Sequence, residues 1–327
     1  MYSLNAETYL RAVTWKTPHS PAPKNCFITP ARCYDGIGAQ VHRRFSLMLF
    51  ARHRNLTYFH SPFRRIEHER PENGIDPAET WENFFNLGSG EYSYESAEAS
   101  RLRSVSVDSL HIDRVKWKGN VLYEIKHCHL FGDSFPHLYE HLSPVLQAKY
   151  NLTPKPPLAF FSSSKINVAI HIRRGDILAA DGSVYQPERY TATPAVLATL
   201  KCVIKALDRL GLDRTIHLFS DGDPGGFDDA AELGATLHIK ERTFQTFHHL
   251  VSADILIMAK SAFSYTAALL SNGIKLYDKF WHKPLPSWVL VDHQDLDTAR
   301  SKVLRQIAQL KDSRWPLRAE DKSVTLC

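Results

Sequence analysis

The sequence predicts an α/β protein built as two domains on parallel sheets, and three observations predict it. Beyond residue 165, short β-branched or aliphatic runs alternate regularly with helical stretches. A Pro- and Ser-rich stretch, Asn151 to Ser164, divides the chain near its middle. The first half opens on a strand, a Gly turn and a helix.

The 327 residues are 43% hydrophobic and 23% charged, the composition of a globular chain of about two domains. Forty Lys and Arg against 35 Asp and Glu leave a net charge of +5, which suits an anionic small ligand as well as it suits nucleic acid. No run of Lys/Arg marks a nucleic-acid arm, so no nucleic-acid partner is expected. Cys26, Cys33, Cys128, Cys202 and Cys327 are scattered without a Cys-x-x-Cys spacing, which reads as reduced thiols with room for one disulfide. No apolar run in the first 30 residues fits a signal peptide, and none along the chain reads as an integral membrane span. The expectation is a soluble chain: cytoplasmic if bacterial, or from the Golgi or ER lumen if a eukaryotic chain lacks its anchor. Two Asn-Leu-Thr sequons, at Asn55 and Asn151, fit the latter.

In chain order, residues 1–25 are Pro-rich (Pro18, Pro21, Pro23) and read as a surface lead-in. Cys26–Thr29 is a short strand, Asp35–Gln40 a Gly turn, and Val41–Arg54 a helix with Phe45, Met48, Leu49 and Phe50 on its apolar side. Gly36 and Gly38 let backbone approach a ligand, and the helix N-terminus favours an anion; a tight turn without a ligand fits the same letters. Leu56–His60 is a second strand. Asp76-Pro77 opens a helix whose stripe Trp81, Phe84, Phe85 and Leu87 reads as core, with Gly88 as its stop. Residues 91–118 are polar and weakly patterned, and Val121–Ile125 is a strand. His127, His129, His137 and His141 follow, the last two spaced to share a helix face. No Cys or carboxylate spacing completes a zinc set, and no metal ligand is assigned.

The second half contains strands at 168–172, 215–219, 236–239, 254–258, 274–277 and 288–291. Between them lie helices expected to be capped at Thr193 and Thr243, one over Tyr265–Ser271, and a last helix over 296–310. The strand Val168–Ile172 runs directly into Arg173-Arg174-Gly175-Asp176, and a buried parallel strand ending in cations presents them at the ligand-binding edge of its sheet. A guanidinium keeps its charge and matches phosphate oxygens in a bidentate way. Carboxylate pairing at a domain edge is the competing use of these arginines. Two further strand ends carry polar groups, Ser220-Asp221 and Ser261-Ala262-Phe263-Ser264, and parallel strands aim all three the same way.

His171-Ile172-Arg173-Arg174-Gly175-Asp176, Ser220-Asp221 and Ser261-Ala262-Phe263-Ser264 resemble, in order, the three signatures of the α1,2-, α1,6- and protein O-fucosyltransferase superfamily. The loop Gly36-Ile37-Gly38-Ala39-Gln40 resembles that superfamily's donor-facing loop. The resemblance implies a GT-B-like architecture: two Rossmann-like domains facing across a cleft and a C-terminal helix packing back. The expected bounds are 1–155 for an acceptor-side domain, 156–292 for the nucleotide-sugar domain and 293–327 for the helix and tail.

It further implies an inverting, metal-independent glycosyltransferase that moves fucose from GDP-fucose to a glycan or glycoconjugate hydroxyl, with no cofactor. The donor set it implies is Gly36, Gly38, Gln40, His171, Arg173, Arg174, Asp221, Ser261, Phe263 and Ser264. Arg173 takes the diphosphate, Arg174 supports it, and Asp176 is the acid nearest the reaction, with His171 and Asp35 as alternative bases. The superfamily's guanine-reading acid has no counterpart in Thr243–His248. Another nucleotide sugar, or a nucleotide-sugar-binding protein without turnover, are the competing functions.

Overall fold

The computed structural model describes residues 25–69, 71, 74–179 and 181–314. The N-terminal lead-in (apart from its last residue) and the C-terminal tail from residue 315 lie outside them. The described residues form two compact units. One comprises the chain up to Pro157 together with Tyr265–Leu270 and Trp281–Pro286; the other holds Leu158–Ser264, Ser271–Phe280 and the chain from Ser287.

The first unit is a five-stranded, all-parallel sheet. Its elements are β1 (Cys26–Pro30), α1 (Ile37–Arg54), β2 (Thr57–His60), α2 (Pro77–Phe85), β3 (Tyr92–Ser93), α3 (Ala97–Ser100), β4 (Arg103–Asp108), β5 (Val121–Lys126), α4 (His129–Ser134) and α5 (Tyr139–Asn151), with strand order β3-β2-β1-β5-β4. Helix α1 begins at Ile37 rather than Val41: Gly36 is its extended N-cap, and Ala39 and Gln40 already donate to the Gly36 carbonyl. Gly38 and Gln40 therefore belong to the first helical turn.

The stretch 91–118, polar and weakly patterned in sequence, contains β3, α3 and β4. Strand β4 is an edge whose six residues are all exposed or half-buried, so its apolar alternation is faint; its six-residue register with β5 defines it. Helix α2 has the expected Asp76 cap on the Ala78 N–H, but Asn86 in the left-handed conformation (φ 52°) ends it before Gly88. Trp81, Phe84 and Phe85 are buried as a core stripe.

The second unit contains β6 (Ile166–Ile172), α6 (Thr193–Arg209), β7 (Arg214–Ser220), α7 (Asp228–Glu232), β8 (Ala235–Ile239), α8 (Thr243–Ser252), β9 (Ile255–Ile257), α9 (Ala262–Leu270, shared with the first unit from Tyr265), β10 (Ile274–Asp278), β11 (Val289–Val291) and α10 (Leu296–Arg314). Its sheet is also all parallel, ordered β11-β10-β9-β6-β7-β8. Counted from β6, that is the 3-2-1-4-5-6 order of doubly wound nucleotide-binding sheets, reversing between β6 and β9. Val168, Ile170 and Ile172 share one core with Val196, Leu200, Val203 and Leu207 of α6 and with Ala299, Val303 and Ile307 of α10. Each Val, Leu or Ile side chain among them contributes about 1.5–3 kcal/mol on burial. The C-terminal helix thus seats its apolar face on this unit's own sheet. Thr193 and Thr243 are the first residues of their helices, whose N-caps are Ala192 and Arg242, and neither helix has a side-chain cap. Gly211, at φ +62°, follows the end of α6.

No described helix is long and apolar enough to cross a membrane. Cys26, Cys33, Cys128 and Cys202 are free thiols.

Candidate active site

The site is built where the second sheet reverses order. β6 and β9 are neighbours in register (Ile170 beside Ile257), and so are β6 and β7 (Ile172 beside Ser220). Their C-terminal ends therefore lie side by side, and the residues that follow each strand converge. In such sheets the crevice outside these ends is the ligand-binding position, because crossovers leave in opposite directions there.

Arg173 leaves β6 and crosses to β9. Its Nη1 donates to Ser261 Oγ at 3.3 Å, and its Nε donates to Asp176 Oδ1 at 2.8 Å while Nη2 pairs with the other carboxylate oxygen. Ser261 sits just before α9, where its Oγ also accepts from the Phe263 N–H at 3.2 Å, a cap that places the positive end of the helix beside the guanidinium. The Arg173 side chain is 22% exposed and can meet a ligand. Arg174 is 7% exposed and cannot. Its guanidinium donates to the Arg173 and Thr191 carbonyls at 2.8 and 2.9 Å and to Thr193 Oγ1 at 3.0 Å, and it stacks over Tyr190. It braces the 173–193 loop, and burial lowers its pKa.

Asp221 holds the same turn from β7. Its Oδ1 accepts from the Arg174 N–H at 2.7 Å. Two glycines make this approach possible: a Cβ on Gly175 would lie 2.8 Å from Asp221 Oδ2, and one on Gly222 would lie 2.7 Å from Arg174 Cβ. His171 packs beside Phe263 (ring centroids 5.5 Å apart), and its buried Nδ1 has no hydrogen-bond partner among the described residues. Burial, with Arg173 adding to it and Asp221 opposing, pushes its pKa down to about 4, so the imidazole is neutral. Ser264 is fully buried, and its Oγ donates to the Ala259 carbonyl at 3.0 Å, tying the helix to the strand end.

Within this unit the structure brings together His171, Arg173, Arg174, Asp176, Asp221, Ser261, Phe263 and Ser264. Gly36, Gly38 and Gln40 belong to the other unit, at the C-terminal end of β1. There Gln40 is 1% exposed, and its Nε2 donates to the Asp35 and Arg65 carbonyls, each at 2.8 Å, pinning two loops together. Asp35 is paired with Arg43 Nη2 at 2.5 Å.

The sequence reading missed Asp278. It ends β10, accepts from Thr191 Oγ1 at 2.9 Å, and lies 3.4 Å from both Lys260 Nζ and His293 Nε2. An acid directly after the Ile274–Tyr277 run was the available signal. The expected helix face of His137 and His141 does not form: His137 lies in a short 3-10 turn ending at Leu138, His141 lies in α5, and both are exposed.

Together these features define a parallel α/β unit with a cation, a hydroxyl and a helix N-terminus converging at its topological switch point. No family model matches the chain, and no curated protein matches it. Among solved structures it is similar to a mutant of Arabidopsis thaliana FUT1 in complex with GDP, at 12% identity and TM-score 0.42, over 87% of this chain and 76% of that one. It is also similar to POFUT1 in complex with GDP-fucose at 12% identity and TM-score 0.44, over 77% and 96% of the two chains. A third is NodZ α-1,6-fucosyltransferase, from Bradyrhizobium, soaked with GDP-fucose, at 12% identity and TM-score 0.35, over 76% and 93%. With TM-scores below 0.5, the reading of function rests on the chain's own residues.

Proposed function

We propose that the protein is a fucosyltransferase-like glycosyltransferase that moves fucose from GDP-fucose to a glycan or glycoconjugate hydroxyl, with inversion and without a catalytic metal. The observation that carries the reading is the Arg173 guanidinium resting on Ser261 at the switch point of the second sheet. A diphosphate placed there meets a permanent cation and a capped helix N-terminus, the two elements that stabilise charge growing on a departing phosphate. Three signatures in matching order supply the donor class.

In transfer, an acceptor oxygen attacks the anomeric carbon, the bond from that carbon to the β-phosphate oxygen breaks, and GDP leaves with the electron pair. The acceptor's proton goes to a base. Asp176 is clamped on Arg173 in the structure. A diphosphate competes for that guanidinium, so donor binding would release the Asp176 carboxylate at the moment a base is needed. Arg174 and Asp221 position the loop rather than touch the donor, and in the first unit Gln40 pins the loops at Asp35 and Arg65 together.

Calorimetric titration with GDP, UDP and ADP, in EDTA, tests the donor. Selective GDP binding supports the proposal, with GDP-fucose turnover on an acceptor panel as the next step. Absence of GDP binding, or binding of UDP only when metal is added, overturns it.

A further inference from the structure

A second cluster of chemical groups lies in the first unit and takes no part in the donor site. His42 of α1, Asp133 of α4 and His282 of the segment Trp281–Pro286 each offer a ligand atom, all within 4.8 Å of one another, and all three are buried. His282 Nδ1 is 2.8 Å from Asp133 Oδ1, and His42 Nε2 is 3.8 Å from the same oxygen. His42 is 1% exposed, yet neither of its ring nitrogens has a hydrogen-bond partner among the described residues. A buried polar group left unsatisfied costs about 1–3 kcal/mol, and here one imidazole has both nitrogens in that state. Tyr139, fully buried, packs with its ring centroid 6.2 Å from that of His42.

We propose that His42, Asp133 and His282 form a structural binding site for a divalent transition metal of the zinc type. Two imidazoles and one carboxylate are a borderline-soft N/O set that suits zinc. Tetrahedral ligands at about 2.0–2.1 Å from zinc lie about 3.4 Å apart, so modest contraction of the present cluster forms the set. His129, whose ring centroid is 6.4 Å from that of His42 and 6.3 Å from that of His282, is the nearest further imidazole for the fourth position. Burial keeps the His42 ring neutral, its pKa pushed to about 3, so its lone pair stays available for a metal.

Asp133 supplies the anionic charge. The Nδ1 proton that His282 now shares with Asp133 moves to Nε2 on loading, and Nε2 gives up the bond it accepts from the Trp281 indole at 3.1 Å. The site would clamp Trp281–Pro286, which returns from late in the chain, onto α1 and α4 of the first unit. None of the three ligands belongs to the donor site, so metal binding here is independent of the proposed activity.

The test is metal titration of the full chain after dialysis against dipicolinate, using Zn²⁺ for thermal shift and Co²⁺ for absorption. Expected are one metal per chain, a rise in Tm of about 5 °C with Zn²⁺, and visible bands of tetrahedral Co²⁺. His42→Phe preserves an aromatic ring in an aromatic surround, and isosteric Asp133→Asn removes the charge alone. Each, once shown by circular dichroism to be folded, should bind at least tenfold more weakly. Failure of the wild type to bind Zn²⁺ or Co²⁺ overturns the proposal. So does an unchanged Co²⁺ spectrum and affinity in either folded variant, which would mean the metal sits elsewhere.

Discussion

Replacing Arg173 separates the two roles that its position allows, ligand binding and carboxylate pairing. In Arg173→Ala a diphosphate loses a bidentate, charge-assisted partner. Hydrogen bonds to charged groups contribute about 1.5–3 kcal/mol. Part of that gain is offset in the wild type, because the donor must first displace Asp176 from the same guanidinium. A net loss of about 2.8 kcal/mol corresponds to a hundredfold weaker GDP affinity. Arg173→Lys keeps a cation but not the fork, and about tenfold of the affinity should go. Stability should hardly change: the pair is 22% and 26% exposed, and such partly solvated ion pairs contribute about 0–1 kcal/mol. The assay is calorimetry with GDP, accompanied by urea unfolding. If the wild type binds GDP and folded Arg173→Ala binds it within threefold, Arg173 is not the diphosphate ligand and the reasoning from the strand end fails.

Other residues of the second unit should behave differently. Arg174→Ala strips the partners of two backbone carbonyls and of Thr193, so it should cost about 2–3 kcal/mol in urea unfolding; a change below about 0.5 kcal/mol would contradict its bracing role. Gly273→Ala would put a Cβ 2.2 Å from the Ala253 carbonyl oxygen and 2.7 Å from that of Asp254. Both are backbone, so a loss of at least about 2 kcal/mol is expected, read as a drop in Tm. Asp176→Asn should leave GDP affinity within about threefold and lower turnover with GDP-fucose by about 10²-fold or more if the freed carboxylate is the base; unaltered turnover would move that role to another group.

Acid should weaken the second unit. Burial chiefly depresses the pKa values of His171, His217 and His238 to about 4 in the fold. The unfolded chain takes up their protons near pH 6.5, so from there down to about 4 it binds more protons than the native state. Stability then falls with pH by up to about 1.4 kcal/mol per histidine per unit. Unfolding free energy that is flat between pH 7 and 5 would contradict this.

Much of the second unit was legible because its central strands are buried on both faces. Val168, Ile170 and Ile172 read as one apolar run, and the regular return of such runs implies parallel strands joined by helices. The polar residues at the ends of β6, β7 and β9 were legible as candidates for the same reason, since a run that stops at His171-Ile172-Arg173 marks its own terminus. The edge strand β4 was not: without a buried face, its sequence resembles a loop until β5 lies beside it.

Side-chain partners were likewise beyond reach. Two adjacent arginines look equivalent in the sequence, and only the turn held by Asp221 sends one outward and the other under Tyr190. His42, Asp133 and His282 are separated by 91 and 149 residues, and no local period or spacing connects them. Local pattern records which faces are buried and where strands stop. Convergence of distant groups depends on strand order and helix placement, which arise from packing the whole chain.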